Sequence, residues 1–164
     1  MSFQKQVNAN QALGNVGQIS KAHHSFLNVI PAIAADDFVK VGSFVQSTAA
    51  ATNENEVIGA SGKQITGSIL GVVVRDSLKV AGDSTPTLAV KKGENCAILT
   101  EGSIFIEVNA IAKKGPYVFL KDADGSLAFD NSATKASYTY TGFRVSKGHD
   151  ASSAGIIEIT TARA

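Results

Sequence analysis

The sequence predicts a single all-β domain, a β-barrel or β-sandwich of about ten short strands, preceded by an extended N-terminal arm. Three observations predict it. Apolar and polar residues alternate with a period of two in one segment after another, as a half-buried strand requires. The alternating runs are short and end at Gly, Pro, Asp or Ser, the residues that supply turn geometry. No segment carries the three-and-four spacing of a helix with one apolar face.

Residues 1–21 are read as the arm and residues 22–164 as the domain. The arm is rich in amides (Gln4, Gln6, Asn8, Asn10, Gln11, Asn15, Gln18), and Gly14 and Gly17 interrupt any helical tendency. A frayed terminus has the same composition, but Phe3 and Val7 make this one stickier than a solvated tail needs to be. From Ser25 onward strands dominate. "SFLNVI" alternates and stops at Pro31; "DDFVKVGSFVQS" alternates through Gly42, read as a bulge or bend. "STAAATNENEVIGASGK" reads as a long polar surface loop, and "ITGSILGVVVRDSLKV" as a buried strand pair or one strongly bent strand. "AGDSTP" is a turn. Beyond it Ile104, Ile106 and Val108 face one way, while Phe105, Glu107 and Asn109 face the other. "KDADG" closes a hairpin between "YVFL" and "SLAF". "ASYTYTGFRVS" and "IIEITTA" supply the last strands, with "SKGHDASSAG" as loop between them.

Composition narrows function. The chain has 164 residues, 44% hydrophobic and 18% charged, enough for one domain with a substantial core. Lys and Arg number 15 against 14 Asp and Glu, a net charge of +1. A nucleic-acid partner is therefore not expected, because such proteins carry a basic excess. No apolar run reaches the roughly 20 residues of a membrane span, and the N-terminus lacks the apolar stretch of a secretory signal. Synthesis in a cytoplasm, with no membrane partner, is the expectation. Cys96 stands alone within apolar "CAIL" and reads as a core residue.

The candidates for chemistry fail on geometry or counting. Adjacent His23 and His24 on an extended chain point to opposite sides, and His149 is remote, so no metal site is expected. "DADG" lacks the first and twelfth calcium-loop carboxylates, where Leu120 and Asn131 stand. "GASGKQ" has Val57 in place of the first phosphate-loop Gly and Gln64 in place of Ser or Thr. Around Ser61 the nucleophile elbow fails because Lys63 occupies its second Gly position. Asp36 and Asp37 diverge at a strand start. No catalytic residue and no cofactor is predicted. A strand scaffold without reactive groups leaves edges, loops and the arm to act by binding.

Three segments carry a resemblance: "MSFQKQVN", "ITGSILGVVVRDSLKV" and "VKKGENCAILTEGSIFIEVNAIAKKGPYVFLKDADGSLAF". In order and pattern the chain resembles the head-decoration, or structural cement, proteins of tailed bacteriophages. "NANQALGNVGQIS" stands where that family often has a Pro-rich lead. The resemblance implies a non-enzymatic virion protein on the capsid exterior that bridges neighbouring major capsid proteins against genome pressure. It also implies a homodimer or homotrimer made in the bacterial host cytoplasm. Partner contacts are expected at Phe3, Gln4, Lys5, Gln6 and Val7 of the arm. The alternatives are a phage tail or fibre binding module, a small β-barrel enzyme using His23 or His24 with Asp36, or a bacterial cytoplasmic binding domain.

Overall fold

A computed structural model describes residues 14–20, 27–48, 55–75, 88–150 and 154–161. The described residues form twelve strands and no helix, in agreement with the all-β expectation. Strands β1 (Asn28–Ala34), β3 (Phe44–Ser47), β4 (Glu56–Gly59), β5 (Ile69–Val73) and β7 (Asn95–Glu101) close a barrel in the order β1-β4-β3-β5-β7. Strands β8 (Ser103–Val108), β9 (Tyr117–Lys121), β10 (Leu127–Asp130), β11 (Tyr138–Lys147) and β12 (Gly155–Thr161) form an open sheet in the order β10-β9-β11-β12-β8. A ribbon of β2 (Phe38–Lys40) and β6 (Ala89–Lys91) completes the set.

Alternation along the barrel strands divides the interior into two cores. Val45, Val57, Val73 and Ile98 pack with Ala32, Ala34 and Cys96, and the ribbon adds Val39 and Val90 to the same cluster. Their strand neighbours Phe44, Val72 and Leu99 join a second cluster with Ile104, Ile106, Leu120, Phe143 and Ile157 of the open sheet. One wall of the barrel thus contributes to both cores, which is what a two-residue period permits. Fully burying a side chain of this size is worth about 1.5–3 kcal/mol. Cys96 is a buried barrel residue, as its apolar flanks predict.

Buried Gln46 is fully engaged. Its amide donates to the Gln64 carbonyl at 3.0 Å, and its oxygen accepts from the N–H groups of Thr66 (2.9 Å) and Gly67 (3.1 Å). A buried amide left unpaired costs about 1–3 kcal/mol, so this set fixes the 64–67 loop against the barrel.

Three local readings change or sharpen. The polar stretch before Lys63, read wholly as loop, contains β4, which pairs parallel with β1 through Ile33 with Glu56 and Ala34 with Val57. Of the two readings of Gly42, bulge or bend, the structure has the bend: a turn at which β2 leaves the ribbon and β3 begins in the barrel. At φ +74°, a side-chain carbon on Gly42 would lie 2.3 Å from Val16 Cγ1 and 2.9 Å from the Gly17 nitrogen. Only glycine tolerates both the angle and that approach. Phe105 faces away from Ile104 and Ile106, as the alternation predicts, yet it too is buried. The cause is residues 14–20, which lie antiparallel along β8. Ser20 N–H donates to Ser103 (2.8 Å), Phe105 N–H to Gln18 (3.1 Å) and Gly17 N–H to Phe105 (2.8 Å).

The hairpin from "KDADG" forms in the expected place, pairing Leu127 with Leu120 and Phe129 with Val118. In β11 an irregularity between Tyr140 and Arg144 shifts the register against β9, so that Arg144 lies opposite Tyr117. Tyr138 and Tyr140 share the outer face with Phe119, while Phe143 and Val145 turn into the core.

Candidate binding surface

The side chains with chemical potential are used for structure. The Asp36 carboxylate pairs with Lys63 Nζ at 2.5 Å and accepts the Gly59 N–H at 2.8 Å, tying the 61–63 turn to the end of β4. Asp124 accepts both the hydroxyl (2.6 Å) and the backbone N–H (3.0 Å) of Ser126. These hydrogen bonds hold its carboxyl below the usual carboxylate range and close the hairpin turn. Thr139 donates to Asp122 at 2.7 Å. His149 exchanges backbone hydrogen bonds with Ala112, of 2.8 and 2.9 Å. Among the described residues, no three His, Cys, Asp or Glu side chains gather as a metal site would require. His23 and His24 lie outside the described residues, as do the expected contact residues Phe3, Gln4, Lys5, Gln6 and Val7.

Surface chemistry is more telling. On β1 the inward positions Ala32 and Ala34 are buried while Val29 and Pro31 are exposed, and Leu27, just before the strand, is 53% exposed. The ribbon presents Phe38, 66% exposed. A few exposed apolar residues are ordinary on any protein, but alternate positions of one strand make a continuous stripe. The outer face of the open sheet differs in kind. Tyr140 meets Tyr117 edge-on at 5.4 Å and lies 5.6 Å from Phe119. Arg144 stacks on the Tyr117 ring, 3.8 Å from its centroid, and donates to the Tyr117 hydroxyl. Burial pushes the Tyr140 phenol above its ordinary value, with Arg144 pulling the other way, so the ring stays neutral. Beside this patch, fully buried Glu158 pairs with Lys147 Nζ at 3.0 Å. Rigid aromatics with an arginine are the groups that carry most binding energy in interfaces.

The sequence reading missed this patch. Its signal was the Tyr-x-Tyr-x-x-x-Arg spacing of residues 138–144, all even positions of one strand, and the irregularity after Tyr140 sets Arg144 opposite Tyr117.

Comparison with known proteins agrees with the architecture. A chain from the capsid of Myoviridae Phage XM1 superposes with a TM-score of 0.58 at 16% identity, covering 96% of both chains. The head fiber gp8.5 N base of bacteriophage phi29 is more distant, with a TM-score of 0.48 at 11% identity over 85% of this chain and 97% of that one. No curated protein matches the sequence. The family described as structural cement protein (E217 gp24/Pam3 gp6) matches residues 3–162, nearly the entire chain. An all-β molecule matched by that family over residues 3–162 belongs to the structural cement proteins of bacteriophages.

Proposed function

We propose that this protein binds the outer surface of an assembled capsid, bridges neighbouring major capsid proteins and stabilises the head against the pressure of packaged genome. The observation that carries the reading is the family match over residues 3–162. The protein acts by binding rather than by catalysis. Each copy need contribute only a modest free energy, because many sites act in parallel on one shell. Closed symmetry favours a homodimer or homotrimer, one patch per subunit meeting equivalent capsid patches. Residues 1–21 serve as the arm, tied to the body of residues 22–164 by the pairing of residues 14–20 with β8. Phe3, Gln4, Lys5, Gln6 and Val7 extend the contact to a neighbouring subunit. A net charge of +1 suits an outer surface that does not attract DNA. The protein is made in the bacterial host cytoplasm and joins the virion there.

The test is cryo-electron microscopy of intact particles, with a parallel titration of purified protein onto stripped shells. Density spanning capsomer boundaries on the exterior, and saturable binding that raises the temperature or pressure at which shells burst, are expected. Shells that stay bare at every concentration, or density confined to the tail, would overturn the reading.

A further inference from the structure

The open sheet ends on β10, and among the described residues no strand pairs with the outer edge of that strand. The hydrogen-bonding phase of the hairpin shows which groups that edge offers. Lys121 N–H donates to the Ser126 carbonyl at 2.9 Å, so Lys121 and Ser126 form a bonded pair. Antiparallel ladders alternate, so Ala128 and Asp130 also point their backbone groups at β9. The N–H and C=O of Leu127 and Phe129 therefore point away, toward the open edge. The Leu127 and Phe129 side chains lie on the inner face, half-buried against the shared core.

That edge borders a groove of about 330 Å³. Its apolar lining comes from Phe44, Val108, Leu120, Leu127 and Phe129. Its two charges, Lys40 and Glu107, neutralise each other at 2.7 Å, and its other polar side chains are uncharged: serine hydroxyls and the Asn109 amide. Opposite the edge stand Val16, the 40–43 turn and residues 107–110. A single extended chain is the shape that fits, and edge pairing with alternate side chains in a groove is an established way for such a chain to bind.

We propose that this groove receives an extended, uncharged segment of the capsid shell protein, which adds as a strand to β10 through the backbone of Leu127 and Phe129. One apolar side chain of that segment sits between Phe44, Leu120 and Phe129, where the groove is deepest in apolar surface. The next side chain points to the outer face, past Ala128. An uncharged segment matches a groove whose own charges are already paired, since an added charge there would be desolvated without a partner. The proposal rests on the capsid-binding reading, which supplies the shell protein as partner.

The experiment places a photo-crosslinking benzoylphenylalanine at position 129 of the full-length protein bound to shells, with the same group at exposed Phe38 as a reference. Crosslinks from position 129 to one short segment of the major capsid protein are expected. Leu127→Pro removes the outward N–H while leaving the Lys121 to Ser126 hydrogen bond in place. It is expected to weaken shell binding about tenfold, the value of one or two lost hydrogen bonds. Phe129→Lys, which closes the groove with a charge, serves as the second variant, and thermal melting of both checks that the fold survives. Folded variants that bind shells as tightly as the parent would overturn the proposal, as would crosslinks from position 129 only to other copies of this chain. Position 38 crosslinking to the shell while position 129 stays silent sinks the groove and leaves the cement reading standing. Parent protein that never attaches ends both.

Discussion

The barrel and the open sheet each contribute five strands and share a core, yet they treat their edges in opposite ways. β1 and β7 close the barrel over six registered residue pairs, so every barrel strand has two neighbours. The open sheet has two edges. One, β8, is covered by residues 14–20; the other, β10, has no pairing strand on its outer side among the described residues and borders a groove. Closure removes the possibility of pairing with another chain, whereas a free edge invites it. The difference teaches where to look for partners: the barrel supplies rigidity, and the sheet supplies the places where something can be added.

Replacing Ile106 by Asp should have the largest effect, because a charge would enter the core that both halves share. A loss of about 4 kcal/mol or more is expected, read as a collapse of the melting transition. Separate melting of barrel and sheet in that variant would break the picture of one shared core. Gly42→Ala comes next. The added carbon meets Val16 and Gly17 at a left-handed angle, so destabilisation of about 2 kcal/mol is expected, with faster amide exchange at Gly17 and Ser20. If exchange there is unaltered, the turn and the 14–20 segment are not coupled. Asp36→Ala frees Lys63 and the Gly59 N–H at the barrel end and should cost about 1 kcal/mol in chemical denaturation. Deleting residues 2–13 should leave the melting temperature within about 2 °C, because the hydrogen bonds of residues 14–20 to β8 remain in place, while shell attachment weakens. Unchanged attachment would remove the arm from the binding scheme. Swapping His23 and His24 together for Ala should change neither melting nor attachment; loss of a stoichiometric metal in that variant would restore the metal reading.

Local signals made much of this fold legible. Asp-Gly between two alternating runs marked the β9–β10 hairpin, and alternation alone placed Ile104, Ile106 and Val108 in the core. What stayed hidden depends on contacts distant in sequence. β4 is four residues long and follows a polar run; it pairs antiparallel with β3 and closes the barrel by parallel pairing with β1, for which no turn exists to read. Phe105 could be assigned a face but not a cover, since its cover lies some ninety positions earlier in the chain. The free edge of β10 was invisible for a similar reason. A strand is an edge only by the order of its neighbours, and order is a property of topology rather than of any short run of letters.

The seam between residues 14–20 and β8 has a mechanical consequence. Its three hydrogen bonds to Ser103 and Phe105 run side by side across two antiparallel strands, and a fourth, from Arg75 N–H to the Gly17 carbonyl at 2.7 Å, braces the same seam. Tension applied along the 14–20 segment loads these bonds together in shear, rather than one after another as in unzipping. A tug on the leading end of the chain is therefore spread through the body of the sheet, as a rope is held by a cleat.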